Sequence, residues 1–230
     1  MSKTRIIAAV RRLDVTSTKD LLEHDPTLLD VADRRGFNLL HLACSTSPAS
    51  LKMPASASVR MANVLLDRGL ELESPVGRDA CTSLFFAVQR ARNPLLVKAL
   101  VSRGAKPANA PGGGLFAAAW WGDRDILKIL LDAGATIDIV VGVTPFLGSW
   151  CWRRFEGAKA LAEFGANVNY QDLKNGKTAL HYGIEKEFAL AELTWLVRHG
   201  ASPDIEDHDG VTARSRASRK RDKNWLRALE

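Results

Sequence analysis

The 230 residues are 46% hydrophobic and 25% charged, which is apolar enough for a folded core and an ordinary charge load for a soluble protein. No apolar run approaches the ~20 residues of a membrane-spanning helix, so no membrane partner is expected. The net charge of +6 sits at one end: Ala213–Glu230 carries seven Lys or Arg against Asp222 and Glu230, leaving about +1 for everything before it.

The first stretch, "IIAAVRRLDVTSTKDLLEHDPTLLDVAD", reads as a helix pair. Its apolar run Ile6–Val10 is broken by Arg11 and Arg12, with no small-residue cleavage site after it, which argues against a secretory leader; the early Asp14 and Asp20 argue against a transit peptide. Ser17 with Asp20 is expected to cap its second helix. "GFNLLHLA" (Gly36–Ala43) then opens a short helix, followed by "STSPASLKMPASAS" (Ser45–Ser58). Rich in Pro, Ser and Ala, that segment is expected to be an exposed loop, or alternatively a partner-specific latch. "ACTSLFFA" (Ala80–Ala87) and "PGGGLFAA" (Pro111–Ala118) are looser copies of the same phrase. Gly112–Gly114 replace the capping residue of the second of these, so that turn is expected to be costly to order. A phosphate-cradling role for these glycines would need a following Gly-Lys-Ser/Thr, which is absent.

Two phrases recur along the chain. "GVTPF" at Gly142, "GKTAL" at Gly176 and "GVTAR" at Gly210 are spaced by 34 residues. "GAKPA", "GATID", "GANVN" and "GASPD", at Gly104, Gly134, Gly165 and Gly200, follow apolar runs such as "DILKILLDAG" and "AKALAEFG"; "GLELE" at Gly69 is a looser copy. The physics of one unit follows. Thr after the Gly turn caps a short helix, an apolar stripe at helical spacing marks a second helix, and Gly relieves its left-handed end. Such a pair cannot bury its own apolar face and must stack on copies of itself.

The unit resembles the ankyrin repeat, whose signature includes Gly-x-Thr-Pro-Leu-His-x-Ala. "GFNLLHLA" and "GKTALHYG" carry it well, and "GVTPFLGS" carries its first half. The resemblance implies an all-α ankyrin-repeat solenoid of stacked helix-turn-helix units with short turn or β-hairpin fingers. One array is expected over residues 1–230. A helix pair over 1–32 caps it, repeats occupy 33–73, 74–109, 110–139, 140–172 and 173–207, and a closing cap covers 208–230. The signature histidine survives as His41 and His181 and becomes Phe85, Phe116 and Leu147 elsewhere. In the family that histidine is structural, bonded to the neighbouring turn, so the resemblance implies no catalytic or metal role for it. Ser149 and Gly183 replace the small Ala that follows the histidine by two.

Tryptophans cluster at one place in the unit. Trp120 and Trp121 fall two and three residues past the small Ala118, and Cys151 and Trp152 fall two and three past Ser149. In the family this end of the first helix lines the concave partner groove. Trp121 and Trp152 are therefore expected to share a register about 10 Å apart. Trp120 and Trp150 flank them, and Arg90, Asp123, Arg124, Arg153 and Arg154 form a charged rim, as at an interface with an apolar centre. The partner-binding set is thus Trp121, Trp152, Trp120, Trp150, Arg90, Arg124 and Arg153. The competing reading has Trp120 and Trp150 packed between repeats. Trp195 reads as core or convex surface, and Trp225 as part of a lid.

The function expected from these residues is a non-catalytic protein–protein interaction scaffold, monomeric, without cofactor, binding an unidentified protein through the groove and the fingers. The alternative is nucleic acid or another acidic surface bound by Arg214, Arg216, Arg219, Lys220, Arg221 and Lys223, although a closing repeat also needs a polar outer face. No nucleophile–base set, paired-carboxylate motif or metal spacing appears, so an enzyme is not expected. Cys44, Cys81 and Cys151 are odd in number and widely spaced, which suits a reducing cytoplasm.

Overall fold

The computed structural model describes residues 2–107 and 114–230. Gly112 and Gly113, where a costly turn is expected, lie outside them. The chain divides into two compact units, Met1–Ala118 with Asp125–Ala135, and Ala119–Arg124 with Thr136–Glu230. Among the described residues the structure is helical, and the extended segments make only isolated bridges, never a sheet.

In the first unit the helices run in pairs: α1 (Ser2–Arg11) with α2 (Val15–His24), α3 (Leu39–Cys44) with α4 (Ser56–Leu66), and α5 (Ser83–Phe86) with α6 (Pro94–Ser102). First helices stack on first helices, α1 on α3 and α3 on α5, while second helices stack on second helices, α2 on α4 and α4 on α6. Ile6, Leu39, Leu40, Met61, Leu65, Leu96 and Leu100 are wholly buried along these seams. Asp14 caps α2 by accepting from the Ser17 backbone N–H at 3.0 Å and from its hydroxyl at 2.7 Å. The cap expected from Ser17 and Asp20 is thus corrected: an acceptor must precede the first turn to reach its free N–H groups. The insertion after α3 is also shorter than read. Ser56–Ser58 belong to α4, with Ala57 and Ser58 buried, and Asn93 Nδ2 donates to the Ala55 carbonyl at 2.8 Å to pin the end of the loop.

The helices α7 (Gly114–Trp121) and α8 (Arg124–Asp132) follow, and then the pairs of the second unit: α9 (Pro145–Cys151) with α10 (Phe155–Glu163), α11 (Ala179–Glu185) with α12 (Leu190–Arg198), and α13 (Ala213–Ser218) with α14 (Asn224–Arg227). There α9 packs on α11 and α11 on α13. Thr144, Thr178 and Thr212 occupy the N-cap positions, as the repeated Gly-x-Thr phrase predicts. The Gly that follows α4, α6, α8, α10 and α12 lies at φ 89–98°, the left-handed region an L side chain resists.

Within the second unit the fingers interlock. The bridges Val141↔Val143 and Glu206↔Thr212 close two of them. His208 N–H donates to the Asn175 carbonyl at 3.0 Å, and Gln171 Nε2 donates to the Gly176 and Glu206 carbonyls at 2.9 and 2.8 Å. The two signature histidines do the same work from inside. His41 Nε2 meets the Ser74 carbonyl, and His181 Nε2 the Val211 carbonyl, each at 2.9 Å. Each Nδ1 accepts a backbone N–H, from Asn38 and Thr178 respectively. Those partners assign a neutral ring with its proton on Nε2.

Two predictions follow from this packing. Burial lowers the pKa of both rings below 6.5, outweighing the carbonyls that favour the cation. Below that pH the unfolded chain binds protons that the folded rings resist, so stability is complete above it and falls as the pH drops. Thermal melts should therefore lose stability between neutral and mildly acidic pH, and His41→Asn with His181→Asn should flatten that slope while lowering stability throughout. The second concerns Gly157 in α10, where a Cβ would overlap the backbone carbonyl of Ala119. In an open helix Gly→Ala gains up to about 1 kcal/mol, but a backbone obstacle cannot swing aside. Denaturant unfolding of Gly157→Ala should show a net loss of roughly 1–3 kcal/mol.

Candidate functional site

In the second unit the chain leaves its first helices through a left-handed residue. Gly122 takes that position after Trp121 (φ 69°), and Arg153 takes it after Trp152 (φ 58°). The two tryptophans therefore share a register, each the last residue before the turn. Both side chains are exposed, Trp121 at 41% and Trp152 at 67%. The ring contact across the surface is made by the neighbour: Trp120, half-buried, lies 5.9 Å from Trp152 between centroids, at 56°. The Arg154 guanidinium covers the Trp120 ring at 4.4 Å. Successive helical side chains point about 100° apart, so Trp120 turns to its neighbour and Trp121 to solvent.

Trp150, expected at the partner surface, is wholly buried, and that expectation is corrected. Its indole N–H donates to the Ala179 carbonyl at 3.0 Å, and its ring meets Phe146, Phe155 and Phe188 at 5.0–6.2 Å. It takes the helix position filled by Cys44 in α3, Ala119 in α7 and Ile184 in α11, all three of them core. The packing around it leans on Gly183, where a Cβ would overlap Leu193 and sit 3.7 Å from the Trp150 nitrogen. Gly183 in place of Ala was the signal, in sequence, that this seam is crowded.

The three arginines of the expected partner-binding set are exposed yet engaged with their own chain. Arg153 donates to the Lys186 carbonyl at 2.8 Å and lies 4.5 Å over Phe188. Arg124 pairs with Glu163 and covers Phe164 at 4.9 Å, at the end of α10. Arg90 belongs to the first unit and lies over Phe37 and Phe86 at 5.4 and 5.1 Å. Arg154 holds the place beside the tryptophans that the other three were expected to fill. Three apolar side chains on the fingers of this unit are also exposed: Val140 (46%), Val141 (44%) and Leu173 (70%).

The basic segment is partly neutralised from within. Arg214 makes a two-pronged pair with Asp204 at 2.6 and 3.0 Å, Arg216 bridges Asp207 and Glu185, and Lys220 meets Glu187 at 2.7 Å. Burial raises the Asp207 carboxyl, and the Val211 and Asp209 N–H groups with Arg216 more than offset it, holding it at about 2. Among the described residues Arg219 and Arg221 make no ion pair, and Lys223 donates to the Ser218 carbonyl at 3.3 Å. Burial pushes the Cys151 thiol up to about 11 and the Cys44 thiol up as well, away from nucleophilic thiolate chemistry. Among the described residues no group of three or more His, Cys, Asp or Glu is placed to hold a metal, and no helix is long and apolar enough to cross a membrane.

No family model matches the chain. A 56-residue segment, 24% of this chain, is 45% identical to a putative ankyrin repeat protein, L92, of Acanthamoeba polyphaga mimivirus, and spans 13% of that protein. The structure is similar to the crystal structure of the ankyrin repeat domain of Bcl-3, with a TM-score of 0.79, 22% identity and coverage of 98% of this chain and 97% of that one. It is similar to the human ASB11 ankyrin repeat domain at TM-score 0.73 and 22% identity, covering 97% and 95%. An ankyrin repeat domain of Acinetobacter baumannii matches at TM-score 0.65 and 23% identity over 83% of this chain and 95% of that one. Capped first helices, interlocked fingers and these neighbours together show that the chain has the ankyrin-repeat solenoid fold.

Proposed function

We propose that the chain is a non-catalytic scaffold that binds a partner protein, with the repeats dividing at residues 33, 74, 110, 140, 173 and 208. Its contact surface combines the first-helix ends of the second unit with the neighbouring finger tips. The observation that carries this reading is the exposure of Trp121 and Trp152 at one register, 41% and 67%, where burial against a partner would remove large apolar area from water. Trp120 and Arg154 extend the patch, and Val140, Val141 and Leu173 add apolar area at the fingers. The raised thiols support a binding role over nucleophilic catalysis. Nucleic-acid binding through the basic end has less support, because Arg214, Arg216 and Lys220 already meet carboxylates.

A pull-down from native extract compares the wild type with Trp121→Ser/Trp152→Ser. The double variant should bind its partner about 30-fold or more weakly, the loss typical of an interface-centre tryptophan. Steep loss of wild-type binding with salt, together with unchanged binding by the variant, would favour the phosphate reading instead. Folding separates surface from core. The double variant should lose no more than about 2 kcal/mol on denaturant unfolding, whereas Trp150→Ala should lose roughly 3–5 kcal/mol.

A further inference from the structure

A second surface lies in the first unit, on residues that the tryptophan patch does not use. Between α1 and the turn at Ala32–Asn38 is an open cleft of about 750 Å³. Lys3, Arg11, Arg34 and Arg35 line it with Ile7, and Asp33 is the one carboxylate among the lining residues. Asp33 is fully used. It accepts from Arg11 at 3.0 Å, from the Arg35 guanidinium at 3.3 Å and from the backbone N–H groups of Arg35 and Phe37 at 2.9 and 3.1 Å. Its side chain is only 10% exposed, so it anchors the two arginines from below. Lys3 and Arg34 are both exposed, and among the described residues neither makes an ion pair. The acids of the same stretch lie elsewhere: Asp14 and Asp20 line a separate hollow between α1 and α2 with Arg5 and Arg12.

We propose that this cleft binds a short acidic peptide segment of a partner protein, one that carries an apolar side chain among its carboxylates. Arginine forks match the planar carboxylate, and Asp33 takes a single N–H from each of Arg11 and Arg35, leaving their remaining N–H groups to a ligand. Arg35 is held in place by stacking over Phe37 at 4.7 Å, which limits the order it would lose on binding. Ile7, half-buried on the cleft wall, offers an apolar contact that suits a peptide side chain better than a sugar–phosphate strand. Four cations are also a small set for a nucleic acid, whose affinity grows with a longer row of phosphate contacts.

Fluorescence anisotropy of the full chain tests this with a labelled peptide alternating Asp or Glu with single Leu residues. Controls are its Asn/Gln counterpart and a single-stranded oligonucleotide of equal length. The acidic peptide should bind at low salt and weaken as salt rises, and the Asn/Gln peptide should not bind. Lys3→Glu/Arg34→Glu, which leaves both Asp33 pairs intact, should weaken binding by roughly tenfold, and Lys3→Gln/Arg34→Gln by less. Trp121→Ser/Trp152→Ser should bind the peptide as the wild type does, so failure of this proposal and failure of the tryptophan surface are read separately. Equal binding of the two peptides would overturn the proposal. So would an unchanged affinity in both Lys3/Arg34 variants, or tighter binding of the oligonucleotide than of the peptide.

Discussion

A pair of helices four to eleven residues long has no interior of its own, and everything else in this molecule answers that constraint. Within each unit the pairs bury one another: in the first, first helices meet first helices and second helices meet second, and in the second, first helices meet first helices. Stacking alone would allow neighbours to slide. The fingers and the histidines supply the direction that apolar burial lacks. His181 reads the position of the following turn through the Val211 carbonyl, and Gln171 bridges two fingers at once. Hydrogen bonds of this kind contribute about 1 kcal/mol each, but leaving such buried groups unpaired costs more, so they select one register over its neighbours.

The same constraint explains what crowding does to composition. Where Trp150 stands in place of a small aliphatic residue, the adjoining helix gives up a side chain at Gly183. Where α10 comes against the Ala119 backbone, Gly157 does the same. Arg153 tolerates a left-handed backbone without being glycine, and its guanidinium is fastened to the Lys186 carbonyl and the Phe188 ring. The roughly 1–2 kcal/mol that such a conformation costs an L residue is set against those contacts.

Much of this could be read before any coordinates. The repeated Gly-x-Thr placed three helix caps, and Gly-Ala placed the ends of the second helices, because each depends on one residue and its immediate backbone. What was not legible depends on side chains meeting across repeats. Counting past Ser149 put Trp150 and Trp152 in one neighbourhood, yet one faces the core and the other solvent, since two residues along a helix turn the direction by about 200°. The arginines were read as a free rim because sequence does not display the aromatic faces and carbonyls that engage them. The α1 cleft was missed for a related reason. Positive and negative residues nearly cancel along the first thirty-five positions, and only the helix and turn geometry sorts them onto different surfaces.

Three thiols lie in three different parts of the stack: Cys44 closes α3 and is fully buried, Cys81 is half-buried just before α5, and Cys151 is half-buried at the end of α9. Burial raises the pKa of each, so a thiol-specific reagent meets less thiolate while the surrounding helices are in place than after they open. In a repeat array, neighbouring segments open with their own free energies. The cysteines thereby act as built-in clocks. Their separate labelling rates report when each segment opens, giving the order in which the molecule comes apart without any added probe.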